Sequence, residues 1–146
     1  MLLIVESCNK LKGLKAAHCA LAVTDNVIKK LATLCKDLKA MDISYCKSVT
    51  DDALEAFSKS KTCFSSILVN ALENITPMGV ISLIRNSHQF LEQLEISLLD
   101  ATKFDESICS YICKCEKLKI LDITGLNTIQ DEGLNTLYQS TRQNLS

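Results

Sequence analysis

The sequence predicts an α/β solenoid, with a curved parallel sheet on one face and helices on the other. Three observations carry that expectation. First, apolar positions recur at a fixed spacing: Leu11, Leu38, Phe64, Leu91 and Leu118 are 27, 26, 27 and 27 residues apart. Five units in register mark a repeat architecture. Second, each unit opens with apolar residues in alternation and closes with apolar residues at helical spacing. Third, a 146-residue chain with 47% apolar and 23% charged residues has the composition of a folded globular protein.

The units begin near Cys8, Cys35, Lys61, His88 and Cys115. Their first halves align as strands. The column Leu14, Met41, Ile67, Leu94, Leu121 and the column Ala16, Ile43, Val69, Ile96, Ile123 both point inward. Three residues on comes a third column, Cys19, Cys46, Leu72, Leu99, Leu126. The second halves predict helices of roughly ten residues, with Val27, Ile28, Leu31 and Leu34 forming an inner face in the first. Thr24, Thr50 and Thr76 stand where an N-cap hydroxyl would accept from helix amides. Pro77 follows at the first helical position, and acidic residues crowd the first turns. Strand, helix and parallel strand imply a right-handed crossover. Ile4 aligns with Leu31, so Met1 to Val5 read as the tail of an earlier helix. Leu145 aligns with Leu118, so Asn144-Leu145-Ser146 would open a sixth strand. The expectation is one domain over residues 1–146, cut from a longer solenoid.

The segment CKDLKAMDISYCKSVTDDAL, Cys35 to Leu54, resembles the cysteine-containing leucine-rich repeat. CEKLKILDITGLNTIQDEGL from Cys115 and CNKLKGLKAAHC from Cys8 are similar to it, whereas Lys61, His88, Leu72 and Leu99 depart from its cysteine pattern. The resemblance implies a right-handed leucine-rich-repeat horseshoe. It also implies a non-catalytic protein–protein interaction module, such as the substrate-receptor repeats of an F-box-type ubiquitin ligase subunit. That adaptor role would require an F-box outside this chain. A structural subunit of a large assembly, axonemal or similar, is the other role the family offers.

The eight cysteines invite disulfides, metal or catalysis. No signal-peptide pattern precedes them, because the apolar start Met1–Val5 stops at Glu6. Free thiols in a reducing intracellular compartment, cytoplasmic or nuclear, are expected. Two sequons, at Asn74 and Asn144, are short enough to arise by chance. Repeat columns give Cys8, Cys35, Cys115, Cys19 and Cys46 a packing role. Cys113, Cys115 and His88 could together approach a zinc site, but they lack paired Cys-x-x-Cys spacing. No metal and no cofactor are expected. Neither His18 nor His88 has a nucleophile and carboxylate at a motif spacing, and the four glycines form no phosphate-binding loop. The chain is expected not to be an enzyme.

A partner is expected on the concave face, because strand side chains between the inward columns point to the open side. The central column is Lys15, Asp42, Leu68, Glu95, Asp122. One flank carries Ala17, Ser44, Asn70, Ser97 and Thr124, and beyond it lie His18, Tyr45, Ala71, Leu98 and Gly125. Carboxylates beside exposed Tyr45 and Leu98 suit a protein partner with a basic element. The net charge of −1 gives no reason to expect nucleic acid or an anionic membrane. Lys29, Lys30, Lys59 and Lys61 read as a solvated outer face.

Overall fold

In the computed structural model, residues 1–143 are described. A first helix, α1 (Leu2–Ser7), precedes five strand–helix units: β1 (Gly13–Lys15) and α2 (Asp25–Leu34), β2 (Ala40–Asp42) and α3 (Asp51–Ser58), β3 (Ser66–Leu68) and α4 (Pro77–Ser87), β4 (Gln93–Glu95) and α5 (Ser107–Ile112), β5 (Ile120–Asp122) and α6 (Asp131–Gln143). The strands form one parallel sheet in sequence order. Its register pairs each repeat column: Leu14 with Met41, Met41 with Ile67, Ile67 with Leu94, Leu94 with Leu121. The strands are short, but their ladder continues beyond them. Ala16 and His18 N–H donate to Asp42 and Ser44 carbonyls, and the same pair of bonds recurs in the next three units.

The core lies between sheet and helices. Met41, Ile67, Leu94, Ile43, Val69 and Ile96 are buried, facing Leu31, Leu54, Val80 and Ile84 of the helices. Each such side chain contributes about 1.5–3 kcal/mol when fully buried. The columns open at the ends, where Leu11, Leu118, Leu121 and Ile123 are only partly covered, because a solenoid unit is completed by its neighbour. Leu2–Val5, read with Met1 as the tail of an earlier helix, are helical within α1, while Asn144–Ser146, expected to open a further strand, lie outside the described residues.

Two local expectations change. Helices are not uniform at ten residues: α5 has six and α6 has thirteen. A 3₁₀ turn at Ala101–Lys103, capped by the Asp100 carboxylate, takes up the chain before α5. The threonines also act differently. Only the Thr76 hydroxyl accepts from a helix amide, Met78 N–H at 3.2 Å. Thr50 and Thr76 instead reach back one repeat. Thr50 N–H and Oγ1 donate to the Asp25 carboxylate (2.9 and 2.7 Å), and Thr76 N–H and Oγ1 to that of Asp51 (2.9 and 2.5 Å). An aspartate at the start of one helix thereby fixes the entry to the next. Where the threonine is Gln130, Glu106 makes the corresponding backbone contact at 3.0 Å.

Candidate functional site

The last residues of the five strands, Lys15, Asp42, Leu68, Glu95 and Asp122, form one row across the sheet. Lys15 is exposed and the other four are half-buried. The carboxylates are held by neutral donors. Asp42 Oδ1 accepts from Ser44 N–H at 3.1 Å, and Asp122 Oδ1 from Thr124 N–H at 2.9 Å. Glu95 accepts from Gln93 Nε2 at 2.7 Å and from Asn70 Nδ2 at 3.0 Å. Among the described residues none of the three makes an ion pair. Their charge is oriented but not neutralised. The Thr124 hydroxyl, then its N–H, hold Asp122 below the ordinary carboxylate range.

The flank was expected to face outward, and it does so only in part. Ser44 and Ser97 are buried, 4% and 6% exposed. Ser44 Oγ accepts from Asn70 N–H at 3.2 Å, and Ser97 Oγ donates to Asn70 Oδ1 at 2.8 Å. They brace Asn70, which in turn fixes Glu95, so they position the face without presenting themselves to a partner. Thr124 is exposed.

The next column carries a feature that sequence reasoning did not see. His18, Tyr45, Ala71 and Leu98 all have φ between 51° and 63°, and Gly125 has φ 86°. These are the third residues of the turns by which each strand leaves the sheet. Cys19, Cys46 and Leu126 N–H close three of them onto Ala16, Ile43 and Ile123 carbonyls. Glycine is the ordinary occupant of such a position. Non-glycine residues there cost about 1–2 kcal/mol each. The ladder holds them: Tyr45 N–H donates to Asn70 O and Leu98 N–H to Thr124 O, both at 2.8 Å. The result is a ridge of side chains thrown outward, with Leu98 55% and Tyr45 37% exposed. His18 stacks on Tyr45 with ring centroids 4.1 Å apart. The lone glycine of the column, Gly125, was the one available sign of the left-handed geometry.

The cysteines are free thiols among the described residues. Cys35, Cys46, Cys109 and Cys115 are buried. Burial raises all four, and Cys115 is pushed up to about 12 with Cys113 adding to the effect. The three groups weighed for zinc turn elsewhere: Cys113 Sγ to Thr136 O at 3.4 Å, Cys115 Sγ to Tyr111 O at 3.9 Å, His88 Nδ1 to Arg85 O at 3.0 Å. No group of three or more His, Cys, Asp or Glu suited to a metal occurs among the described residues. No helix among them is long and apolar enough to cross a membrane.

No family model matches the sequence. Solved structures do match the fold. The C-terminal domain of tropomodulin from Caenorhabditis elegans aligns at TM-score 0.70 and 15% identity, over 97% of this chain and 93% of that one. The actin-binding site 2 domain of leiomodin-1 aligns at TM-score 0.74 and 13% identity, over 99% and 87%. These neighbours correct the expected kinship with the cysteine-containing repeats of F-box proteins, which they do not support. Of the cysteines that suggested it, Cys35, Cys46 and Cys115 are buried packing residues, Cys46 in the column of the buried Leu72 and Leu99, and Cys19 is half-buried, whereas Cys8, expected to pack, is exposed. What the likeness establishes is the architecture, a leucine-rich-repeat-type α/β solenoid.

Proposed function

We propose that this chain is a non-catalytic protein-interaction module whose concave face receives a basic element of a protein partner. The observation that carries the reading is the row Asp42, Glu95 and Asp122, three carboxylates without a cation, beside the strained and exposed Tyr45 and Leu98. Unpaired charge beside an apolar anchor supplies both steering and contact area. Strain of this kind persists where the surrounding structure over-determines it, and it clusters at functional positions. Lys15, Leu68, Asn70 and Thr124 complete the surface, and Ser44 and Ser97 hold it from beneath.

The fold shared with the actin-binding site 2 domain of leiomodin-1 makes actin the first partner to test. The experiment is co-sedimentation with actin filaments and pull-down of actin monomers, using the native chain and the Asp42→Lys, Glu95→Lys, Asp122→Lys triple variant. Capture by the native chain and loss in a variant with unchanged circular dichroism supports the face and the partner together. Equal capture by both chains removes the concave face. Absence of capture by the native chain removes actin.

A further inference from the structure

The net charge of −1 conceals a sorting of charge that the topology makes visible. All five strands are parallel, so every segment leading from a helix end to a strand start lies on one rim of the solenoid. Those segments are 8–12, 35–39, 59–65, 88–92 and 113–119. They contain nine lysines and three carboxylates, a formal +6, and Arg85 in the last turn of α4 adjoins them. The opposite rim, where strands leave the sheet and helices begin, is made of 17–26, 44–52, 70–77, 97–107 and 124–132. It holds nine carboxylates and two lysines, a formal −7. The basic rim is continuous. Lys39, Ser65, Glu92 and Lys119 N–H each donate to the preceding unit's rim carbonyl, from Lys12 onward.

Helix dipoles explain the sign of this sorting but not its size. Each helix C-terminus presents about half a negative charge. The five helices ending on this rim, α1 to α5, therefore offset about −2.5 of the +6, leaving more than half of it uncancelled. Internal pairing removes little more. Only Lys59 and Lys119, bonded to Glu55 and Glu92, have a carboxylate at ion-pair distance among the described residues.

We propose that the basic rim is a second docking surface, for an acidic polypeptide segment. The rim's length, five strands at about 4.8 Å spacing, is roughly 20 Å, which suits about six residues of extended chain. Arg85 and Lys114 line one pocket with Ile84, His88 and Tyr111, and the other cations are spread along the ridge, so the charge matches a run of carboxylates better than a single anion. Single-stranded nucleic acid is favoured by aromatic faces on which its bases stack. A lysine ammonium stands over one face of each of the two aromatic rings beside the rim's lysines: Lys117 Nζ 5.7 Å over Phe90, itself 47% exposed, and Lys114 Nζ 4.9 Å over Tyr111. The concave face next to it is acidic and repels a polyanion that overhangs the rim.

The test uses the whole chain and a fluorescein-labelled oligoglutamate peptide, read by anisotropy at low and physiological salt. An oligothymidylate of equal charge, phosphatidylserine vesicles and the chain itself at high concentration are the competing probes. Oligoglutamate is expected to bind, with amide NMR shifts confined to the five rim segments. Joint replacement of Lys10, Lys12, Lys61 and Lys117 by Glu, all exposed positions, is expected to weaken binding at least about tenfold with circular dichroism unchanged. Asp42→Asn, Glu95→Gln and Asp122→Asn together are expected to leave it within about threefold, which separates this surface from the concave one. No binding of oligoglutamate at low salt, shifts outside the rim, or an unchanged affinity in the lysine variant would each overturn the proposal. So would tighter binding of the oligonucleotide, the vesicles or a second copy of the chain.

Discussion

Gly79→Ala tests the inter-repeat clamp, because two effects of opposite sign meet at that position. Alanine in place of glycine within a helix ordinarily stabilises by about 0.5–1 kcal/mol. Gly79 is the third residue of α4 and is buried. A Cβ there would fall on Asp51 Oδ1, inside van der Waals contact, and 3.2 Å from Leu54 Cδ1. The leucine methyl can yield, but the carboxylate is held by Thr76 N–H and Oγ1 at 2.9 and 2.5 Å. A hydrogen bond contributes about 0.5–1.5 kcal/mol net and one to a charged group about 1.5–3; because Asp51 is half-exposed, each of its two bonds is taken where those ranges meet, at about 1–1.5. Displacing Asp51 therefore removes about 2–3 kcal/mol against a gain of at most about 1, a net destabilisation of about 1–2 kcal/mol. Urea unfolding followed by circular dichroism measures it. The companion pair is Asp51→Ala alone and with Gly79→Ala. Without the carboxylate, the alanine is expected to become neutral or stabilising, a coupling of about 2 kcal/mol. A Gly79→Ala variant more stable than the native chain, or a coupling near zero, would refute the clamp.

Leu98→Gly separates strain from contact. Relief of the left-handed cost, about 1–2 kcal/mol, meets glycine's chain-entropy cost of about 0.5–1, so stability is expected to be unchanged or to rise by up to about 1.5 kcal/mol while partner capture falls; a loss of more than about 1 kcal/mol in urea would show that Leu98 packs for stability instead. Thiol labelling with iodoacetamide at pH 8, resolved by peptide mass spectrometry, is expected to modify exposed Cys8 first and Cys115 only on unfolding, since burial pushes Cys115 up to about 12. Early labelling of Cys115 would contradict its packing. Asp122 is held low by Thr124 in the folded chain, so its contribution is present above its unfolded value of about 3.9 and is lost as pH falls through the lower folded value. Asp122→Asn is expected to flatten the acid limb of the stability profile below about pH 4, and an unaltered limb would remove Asp122 from that account.

The fold was legible because its determinants are periodic. Columns such as Met41, Ile67, Leu94 and Ile43, Val69, Ile96 must be apolar at every turn of the solenoid, so a spacing of 26 or 27 residues survives even where identity does not. The family reading failed for the same reason. Cysteine at positions 35, 46 and 115 packs as a buried apolar side chain, and Leu72 and Leu99 take the place of Cys46 in its column, so these cysteines report burial and not a family. The concave row was half legible. Alternation places Asp42, Glu95 and Asp122 on the open side, but it places Ser44 and Ser97 there as well. The turn geometry swings those two hydroxyls beneath Asn70, and nothing in alternation encodes a turn whose left-handed residue is Tyr45 or Leu98 instead of glycine.

Net charge hid the most because it sums over positions that the fold separates. A chain with 16 basic and 17 acidic residues looks electrostatically inert. Parallel stacking sends every helix start to one rim and every helix end to the other, so a preference worth a few tenths of a kcal/mol at one helix terminus is repeated along the solenoid. What begins as helix capping ends as a molecule with two oppositely charged edges and an acidic face between them. A basic rim beside an acidic face makes the two proposed docking surfaces opposite in sign. The concave and basic-rim variants distinguish them, because the unpaired carboxylates Asp42, Glu95 and Asp122 and the exposed Lys10, Lys12, Lys61 and Lys117 share no hydrogen bond or ion pair among the described residues.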